Sequence, residues 1–521
     1  MSTEPSRPKS AFETLGFTNT VDRLLKLISD LYEADEFPWT IGYSGGKDST
    51  AVTQLVWMAI QNLPQKKRTK PIYVITTDTL VENPVVSAWV NQSLETMRLN
   101  AAENKMPFVP TLLTPDVANT FWVNLIGRGY PAPRPKFRWC TERLKIRPSN
   151  KFIEEVASQH GEVVLLLGAR RQESAVRAHG FSQRDKSRVR EYLTPHPDLQ
   201  NTLVFTPIED WSNDDVWAFL LQEKNPWGFS NKDLLSMYRG ASEDNECPVV
   251  VDTSTPSCGN SRFGCWTCTL VDQDKSMSAM IQNDHEKEWM MPLLEIRNEL
   301  DFRGETARIK DKERRDFRRM SGHLQFYKDK DGTPQLIPGP YTQESREYWL
   351  RRVLRAQKEV RADELSPEYV KNLELITLPE LEEIRLIWTQ DKHEIEDLVP
   401  KIYEDEIGEP YPGTRTRTTD LFEDEYLALL NDACAHSQIR YETARNLLAL
   451  EHSFRLKGNR KGLFLQLEKL IERGCFENRE EALEYKTKEH QIKSEIQDSD
   501  DIALDDTPAG RIELKIKVSG E

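Results

Sequence analysis

Between residue 37 and about residue 220, short apolar runs alternate with amphipathic stretches, the pattern of an α/β domain built on a parallel sheet. Trp39-Thr40-Ile41-Gly42-Tyr43, Ile72-Tyr73-Val74-Ile75-Thr76 and Val163-Val164-Leu165-Leu166-Leu167 read as buried strands, each followed by polar or glycine-bearing residues where a ligand can sit. The helix after the first strand is expected to begin near Asp48 and to turn Val52, Leu55, Val56 and Ala59 inward. From about residue 226 to 275 no period is visible and Cys, Pro, Gly and Ser accumulate, as in a loop-built lobe that something must staple. After Ser276 the pattern becomes charged and helical, in segments such as 286–298, 344–361 and 378–390. The stretch 494–506 is acidic and poor in aromatics, the composition of a solvated tail. The organisation expected is an N-terminal segment (1–35), an α/β domain (36–225), a cysteine-rich lobe (226–275), a helical region (276–493) and an acidic tail (494–521).

At 521 residues the chain exceeds what one core usually serves, and 38% hydrophobic with 30% charged residues is the balance of a globular protein that folds. No apolar run approaches a membrane span, and the polar start from Met1 to Lys9 lacks a signal-peptide core, so the expected location is the cytoplasm, with no membrane partner. A net charge of -15 argues against a surface basic all over, but leaves room for local patches. The densest run of basic residues is Arg308, Lys310, Lys312, Arg314, Arg315, Arg318 and Arg319; with Asp311, Glu313 and Asp316 interspersed, it reads equally as a phosphate contact and as a solvated face.

Candidate chemistry begins at Ser44-Gly45-Gly46-Lys47-Asp48-Ser49-Thr50. A strand, a glycine turn and a helix start aim backbone amides and a positive helix end at phosphate. Adjacent glycines admit an anion closely, Lys47 supplies a point charge, and the Ser44, Ser49 and Thr50 hydroxyls add hydrogen bonds. The spacing is not that of a Walker loop. The ordinary alternative is a turn with a Ser or Asp helix cap.

This loop resembles the PP-loop of the ATP pyrophosphatases, and further matches follow in order. Thr77-Asp78-Thr79 ends the second strand, and Trp139-Cys140-Thr141-Glu142-Arg143-Leu144-Lys145-Ile146-Arg147-Pro148 is similar to the sulfonucleotide-reductase segment ending in Lys-x-x-Pro. Gly168-Ala169-Arg170-Arg171-Gln172-Glu173-Ser174-Ala175-Val176-Arg177 and Pro207-Ile208-Glu209-Asp210-Trp211-Ser212 are similar to later motifs of that superfamily. The resemblance implies a PAPS reductase-like fold that binds ATP with Mg2+. Physically, Arg170, Arg171 and Arg177 offer forked donors for phosphate, Glu173 can hold one of them, and Asp78 suits a ribose hydroxyl, a magnesium ion or a turn cap.

Five cysteines, Cys140, Cys247, Cys258, Cys265 and Cys268, compete for what is usually four ligand positions, and spacing alone does not choose between zinc and an iron–sulfur cluster. Cys434 and Cys475, flanked by helical residues, read as structural. Glu246-Cys247-Pro248-Val249-Val250 followed by Pro256-Ser257-Cys258-Gly259-Asn260-Ser261-Arg262-Phe263-Gly264-Cys265-Trp266-Thr267-Cys268-Thr269 resembles the DNA phosphorothioation sulfurtransferases of the DndC family. That resemblance implies a [4Fe–4S] cluster, DNA as acceptor, a cysteine desulfurase as sulfur donor and other DNA phosphorothioation proteins as partners. It implies ATP-dependent adenylation of a backbone phosphate, with Lys47 and Asp48 in the catalytic loop, and sulfur delivered on the spare thiol, for which Cys247 is a candidate. The rivals are a sulfonucleotide reductase, a tRNA-thiolating enzyme and, outside catalysis, a nucleotide-sensing scaffold.

Overall fold

The computed structural model describes residues 10–173, 192–241, 263–329, 331–414, 424–435, 440–457, 460–474, 476 and 478–501. It divides into two units, Met1–Asp311 with Gln343–Asp420, and Lys312–Thr342 with Leu421–Glu521.

The first unit is organised by a six-stranded sheet in the order β3-β2-β1-β4-β6-β5. β1 (Trp39–Gly42), β2 (Ile72–Thr77), β3 (Phe108–Leu113), β4 (Val163–Leu166) and β6 (Thr202–Phe205) run parallel, and the two-residue β5 (Thr194–Pro195) is antiparallel to β6. The three strands expected from apolar runs are present. β3 escapes that pattern because Pro110 interrupts it and Val109 and Leu112 are exposed, all tolerable on an edge strand. Trp39 is level with Ile72 on one side and Val164 on the other, so β1, β2 and β4 end at a common edge. The chain runs from β1 to β2 and β3 on one side and returns to β4 on the other. The β1/β4 boundary is therefore a topological switch point, where a crevice opens beyond the strand ends.

Helix α1 spans Phe17–Glu33, and α2 (Lys47–Gln61) packs Val52, Leu55, Val56 and Ala59 into the core with no exposed surface. Burying each of these larger side chains contributes about 1.5–3 kcal/mol. α2 also buries Gln54, whose amide donates to the Lys224 carbonyl at 3.1 Å and accepts from Asn231 Nδ2 at 3.0 Å. Asn231 opens a helix, Asn231–Gly240, inside the stretch expected to be irregular. It is only ten residues long, but Leu234, Leu235 and Tyr238 enter the core that covers the sheet.

Helices α3 (Pro84–Glu103) and α4 (Arg147–His160) complete the layers near the site. Of the charged helical region, Gln343–Ala362, Leu378–Leu386 and Leu398–Ile407 lie in this first unit. Two indoles tie the region to the segment after β3: Trp122 donates to the Leu375 carbonyl at 2.8 Å, and Trp388 to the Ile126 carbonyl at 3.0 Å.

The second unit holds a hairpin of β7 (Phe326–Lys328) and β8 (Pro334–Leu336) with the helices Asp424–Ala435, Tyr441–Lys457, Leu463–Gly474 and Arg479–Asp501. The last helix reaches Asp501, so the start of the stretch expected to be a solvated tail is helical, in keeping with its Glu- and Lys-rich composition and pairs such as Lys488–Glu484 at 2.7 Å. Among the described residues no helix is long and apolar enough to cross a membrane.

Candidate nucleotide site and cysteine turn

The turn after β1 owes its shape to Gly45. Its φ of +71° lies in the left-handed region, and an added Cβ would sit 2.4 Å from Val90 Cγ2, so glycine is required twice over. Gly46 is the N-cap of α2 and provides no side-chain cap. The Ser or Asp cap of the ordinary alternative is absent. Ser49 Oγ turns back to the Gly46 carbonyl at 3.0 Å and meets Ser44 Oγ at 3.2 Å, which closes the turn. The first amides of α2 lack intrahelical acceptors, the condition under which a helix start can bind an anion.

The charges around this turn are arranged by long-range contacts. Asp48 receives Lys47 Nζ on Oδ2 at 2.9 Å and Arg170 Nε on Oδ1 at 2.6 Å. Arg170, which follows β4, is buried, and Gly168 explains how it reaches Asp48: an added Cβ there would stand 2.8 Å from the Asp48 carbonyl carbon. Two cations share one carboxylate at a positive helix end, which leaves the local balance favourable to phosphate. Arg171 points elsewhere, to Glu209 at 3.2 Å and Asp210 at 3.1 Å, and so links the two later motifs of the sequence. Glu173 closes the 3-10 turn Arg171–Glu173 by its backbone; its side chain and Arg177 lie outside the described residues.

Tyr238 completes the site and was not suggested by the sequence. Its hydroxyl accepts the Lys47 amide at 3.3 Å, and its ring lies 5.8 Å beneath Lys47 Nζ. Burial pushes its phenol well above the ordinary range, with Asp48 acting in the same direction, so it remains a neutral dipole at physiological pH. Asp78, expected as a ribose or magnesium ligand, closes a turn through its acceptance of the Leu80 amide at 2.8 Å. Burial first, and then Glu82, raises its pKa.

The loop after β2 meets the cysteine turn. Thr79 Oγ1 stands 3.3 Å from Cys265 Sγ, Glu82 bridges Cys265 through the backbone, and the Trp266 amide donates to Val81 at 2.9 Å. Cys268 N closes the turn on the Cys265 carbonyl at 3.0 Å. The staple is Arg297, fully buried, which donates to the carbonyls of Cys268 at 3.1 Å and Val271 at 2.6 Å. Burial pushes the Cys265 thiol up to about 12, against the pull of Lys145, whose Nζ is 3.4 Å from Glu82. Cys140 is also raised by burial, with Cys268 adding to the effect. Cys140, Cys265 and Cys268 thus belong to one neighbourhood, whereas Cys247, Cys258 and Cys475 lie outside the described residues and Cys434 sits in the second unit. Among the described residues no three ligating side chains converge to hold a metal ion.

Residues 39–270 match the family described as the phosphoadenosine phosphosulfate reductase domain, and the mostly parallel sheet of this stretch is a PAPS reductase-like fold. Two uncharacterised proteins of Methanocaldococcus jannaschii are similar, one 28% identical over 200 residues and the other 25% over 199, each alignment covering 38% of this chain. The aligned parts cover 35% and 39% of those relatives' own lengths. Among solved structures, the PAPS reductase of Candida auris in a phosphate complex is 16% identical, covers 40% of this chain and 89% of its own, and superposes with a TM-score of 0.24. FMN adenylyltransferase of Candida glabrata with FAD and pyrophosphate is 11% identical, covers 44% and 65%, and also has a TM-score of 0.24.

Proposed function

We propose that this chain binds ATP on residues 44–50 and uses it to adenylate a phosphate acceptor on DNA, which then receives sulfur. The observation that carries the nucleotide part is the uncapped start of α2 behind Gly45, with Lys47 and the Arg170–Asp48 pair beside it. An acceptor oxygen attacks the α-phosphorus and the bond to pyrophosphate breaks. Lys47 and the α2 amides hold the charge that gathers on the departing group, an electrostatic role in a preorganised site. A sulfur nucleophile at the oxidation level of sulfide then attacks the acceptor phosphorus and expels AMP, leaving sulfur where oxygen was. Magnesium, when bound, would offset phosphate charge, and Asp78, the carboxylate after β2, would be the residue to hold it.

The cysteine turn supports a sulfur-handling role, with Cys140, Cys265 and Cys268 as ligand candidates beside Lys145. The described residues do not complete a donor set for a cluster. A second reading, reduction of a sulfonucleotide, is favoured by the matched domain itself. The two separate on substrate: the first consumes ATP and releases pyrophosphate, the second consumes PAPS or APS and releases sulfite. The acceptor is read by digesting DNA and tRNA from cells that express the chain with a sulfur donor and partner proteins. Phosphorothioate-linked dinucleotides are the expected product; thiolated tRNA with unmodified DNA would move the acceptor and keep the adenylation.

A further inference from the structure

Residues 128–151, which lead into and past Cys140, carry eight Lys or Arg side chains against the single acid Glu142, in a chain of net charge -15. The structure divides six of these cations into two sets. Arg134 and Arg143 are turned to internal duty: Arg134 pairs with Asp311 at 3.1 Å over the Phe302 ring, and Arg143 donates to Asn119 at 2.8 Å over Tyr130. Lys136, Arg138, Arg147 and Lys151 are exposed. Two of these have acidic neighbours, Glu142 at 3.2 Å from Arg147 and Asp116 at 3.7 Å from Lys151, but both partners of each pair are more than half exposed, so the pairs are weak and exchangeable.

The exposed set begins on a small hairpin. Arg134 and Phe137 form an isolated antiparallel bridge, so Pro135 and Lys136 make its tip. An aromatic chain anchors it: Phe121 stacks on Trp139 at 5.3 Å, Trp139 meets Tyr130 at 5.8 Å, and Tyr130 meets Phe137 at 5.9 Å. The first three rings are largely covered, whereas Phe137, between Lys136 and Arg138, is 40% exposed. A rigidly backed ring flanked by two exposed cations is how single nucleic-acid strands are held, with bases on the ring and phosphates on the cations. The segment then enters the cysteine turn's own neighbourhood through Cys140 and Lys145.

We infer that the hairpin at 134–138, continued through Arg147 and Lys151, is the nucleic-acid docking surface of this chain, with Phe137 as its stacking platform. This rests on the nucleic-acid acceptor proposed above. Run 308–319 fills that role less well. Arg315 donates to the Gly339 and Pro338 carbonyls at 2.7 and 2.6 Å, Arg318 to Phe476 at 3.0 Å and Arg319 to Pro338 at 3.0 Å, which commits these guanidiniums to the second unit.

The test is binding of the full chain to fluorescent single- and double-stranded DNA across a salt series, beside Lys136→Ala/Arg138→Ala/Lys151→Ala, Phe137→Ala and Arg308→Ala/Lys310→Ala. All the substituted side chains are exposed or partly so, and ATP binding serves as the check on folding. The triple variant is expected to bind at least tenfold more weakly and to flatten the log–log salt slope by about 2 to 3. Phe137→Ala should weaken single-stranded binding more than duplex binding, and Arg308→Ala/Lys310→Ala should stay near wild type. If the triple variant binds as wild type does, the surface is wrong while the acceptor stands; if the wild-type chain binds no nucleic acid, both fall. Equal, Lys136-dependent capture by anionic lipid vesicles would also overturn the assignment, by making the patch a membrane contact.

Discussion

The phosphate loop leaves the sheet after β1 and the cysteine turn packs against the loop that leaves it after the neighbouring β2, yet the two are built on different principles. The loop's ligand groups are main-chain amides whose placement depends on Gly45 and its close approach to Val90. The cysteine turn offers side-chain thiols, and burial pushes that of Cys265 up to about 12, so its ligand form calls for a positive partner or a metal. A preorganised anion site suits a substrate that comes and goes. A site whose donors ionise only in company suits a resident group or a sulfur species.

The largest effect expected from breaking this contrast is at Gly45. Gly45→Val combines an unfavourable φ with a clash against Val90, and should abolish pyrophosphate release while lowering stability by about 2–4 kcal/mol, read from denaturant midpoints and ATP turnover together. Asp48→Ala should cost about 1.5–3 kcal/mol, because it removes the carboxylate that accepts from buried Arg170; Lys47→Ala, which leaves that pair intact, should fold normally. On the cysteine side, Cys265→Ser and Cys268→Ser should each fold and lose iron and acid-labile sulfide from anaerobically purified protein, since oxygen ligands suit such clusters poorly. Stoichiometric zinc without iron would replace the cluster with a zinc site.

Much of the loop side was legible in the sequence, because its strand, glycines and helix start are contiguous. β1, β2 and β4 announce themselves as apolar runs, and Val52, Leu55, Val56 and Ala59 as a helical stripe. What stayed hidden comes from distant segments. Tyr238 meets Lys47 across 191 residues on a helix too short to show a period, and Arg297 reaches the Cys268 carbonyl from 29 residues on. Neither kind of contact leaves a local pattern. The basic run at 308–319 illustrates the opposite case: composition counts charges but does not show that Arg315, Arg318 and Arg319 bind carbonyls. Arg318→Ala should accordingly lower stability by about 1.5–3 kcal/mol and leave the salt dependence of DNA binding unchanged.

The smallest predicted effect sharpens the edge between the two sites. Burial raises the pKa of Asp78, so its folded form holds a proton more tightly than the unfolded chain, and it costs stability as pH rises from the unfolded pKa through the folded one. Asp78→Asn retains an acceptor for the Leu80 amide and removes the buried charge. It should raise the melting temperature at pH 7 by about 1 °C, with the gain vanishing in acid, and should weaken magnesium-dependent nucleotide binding.

The measurement that bears most directly on the account is pyrophosphate release from ATP by the full chain with magnesium, comparing wild type with Lys47→Ala. The wild type should release pyrophosphate, and a Lys47→Ala protein of unchanged stability should lose about three orders of magnitude of that rate, the scale on which removal of a charge-stabilising group acts. Equal release by both proteins, or turnover of PAPS with none of ATP, would contradict it.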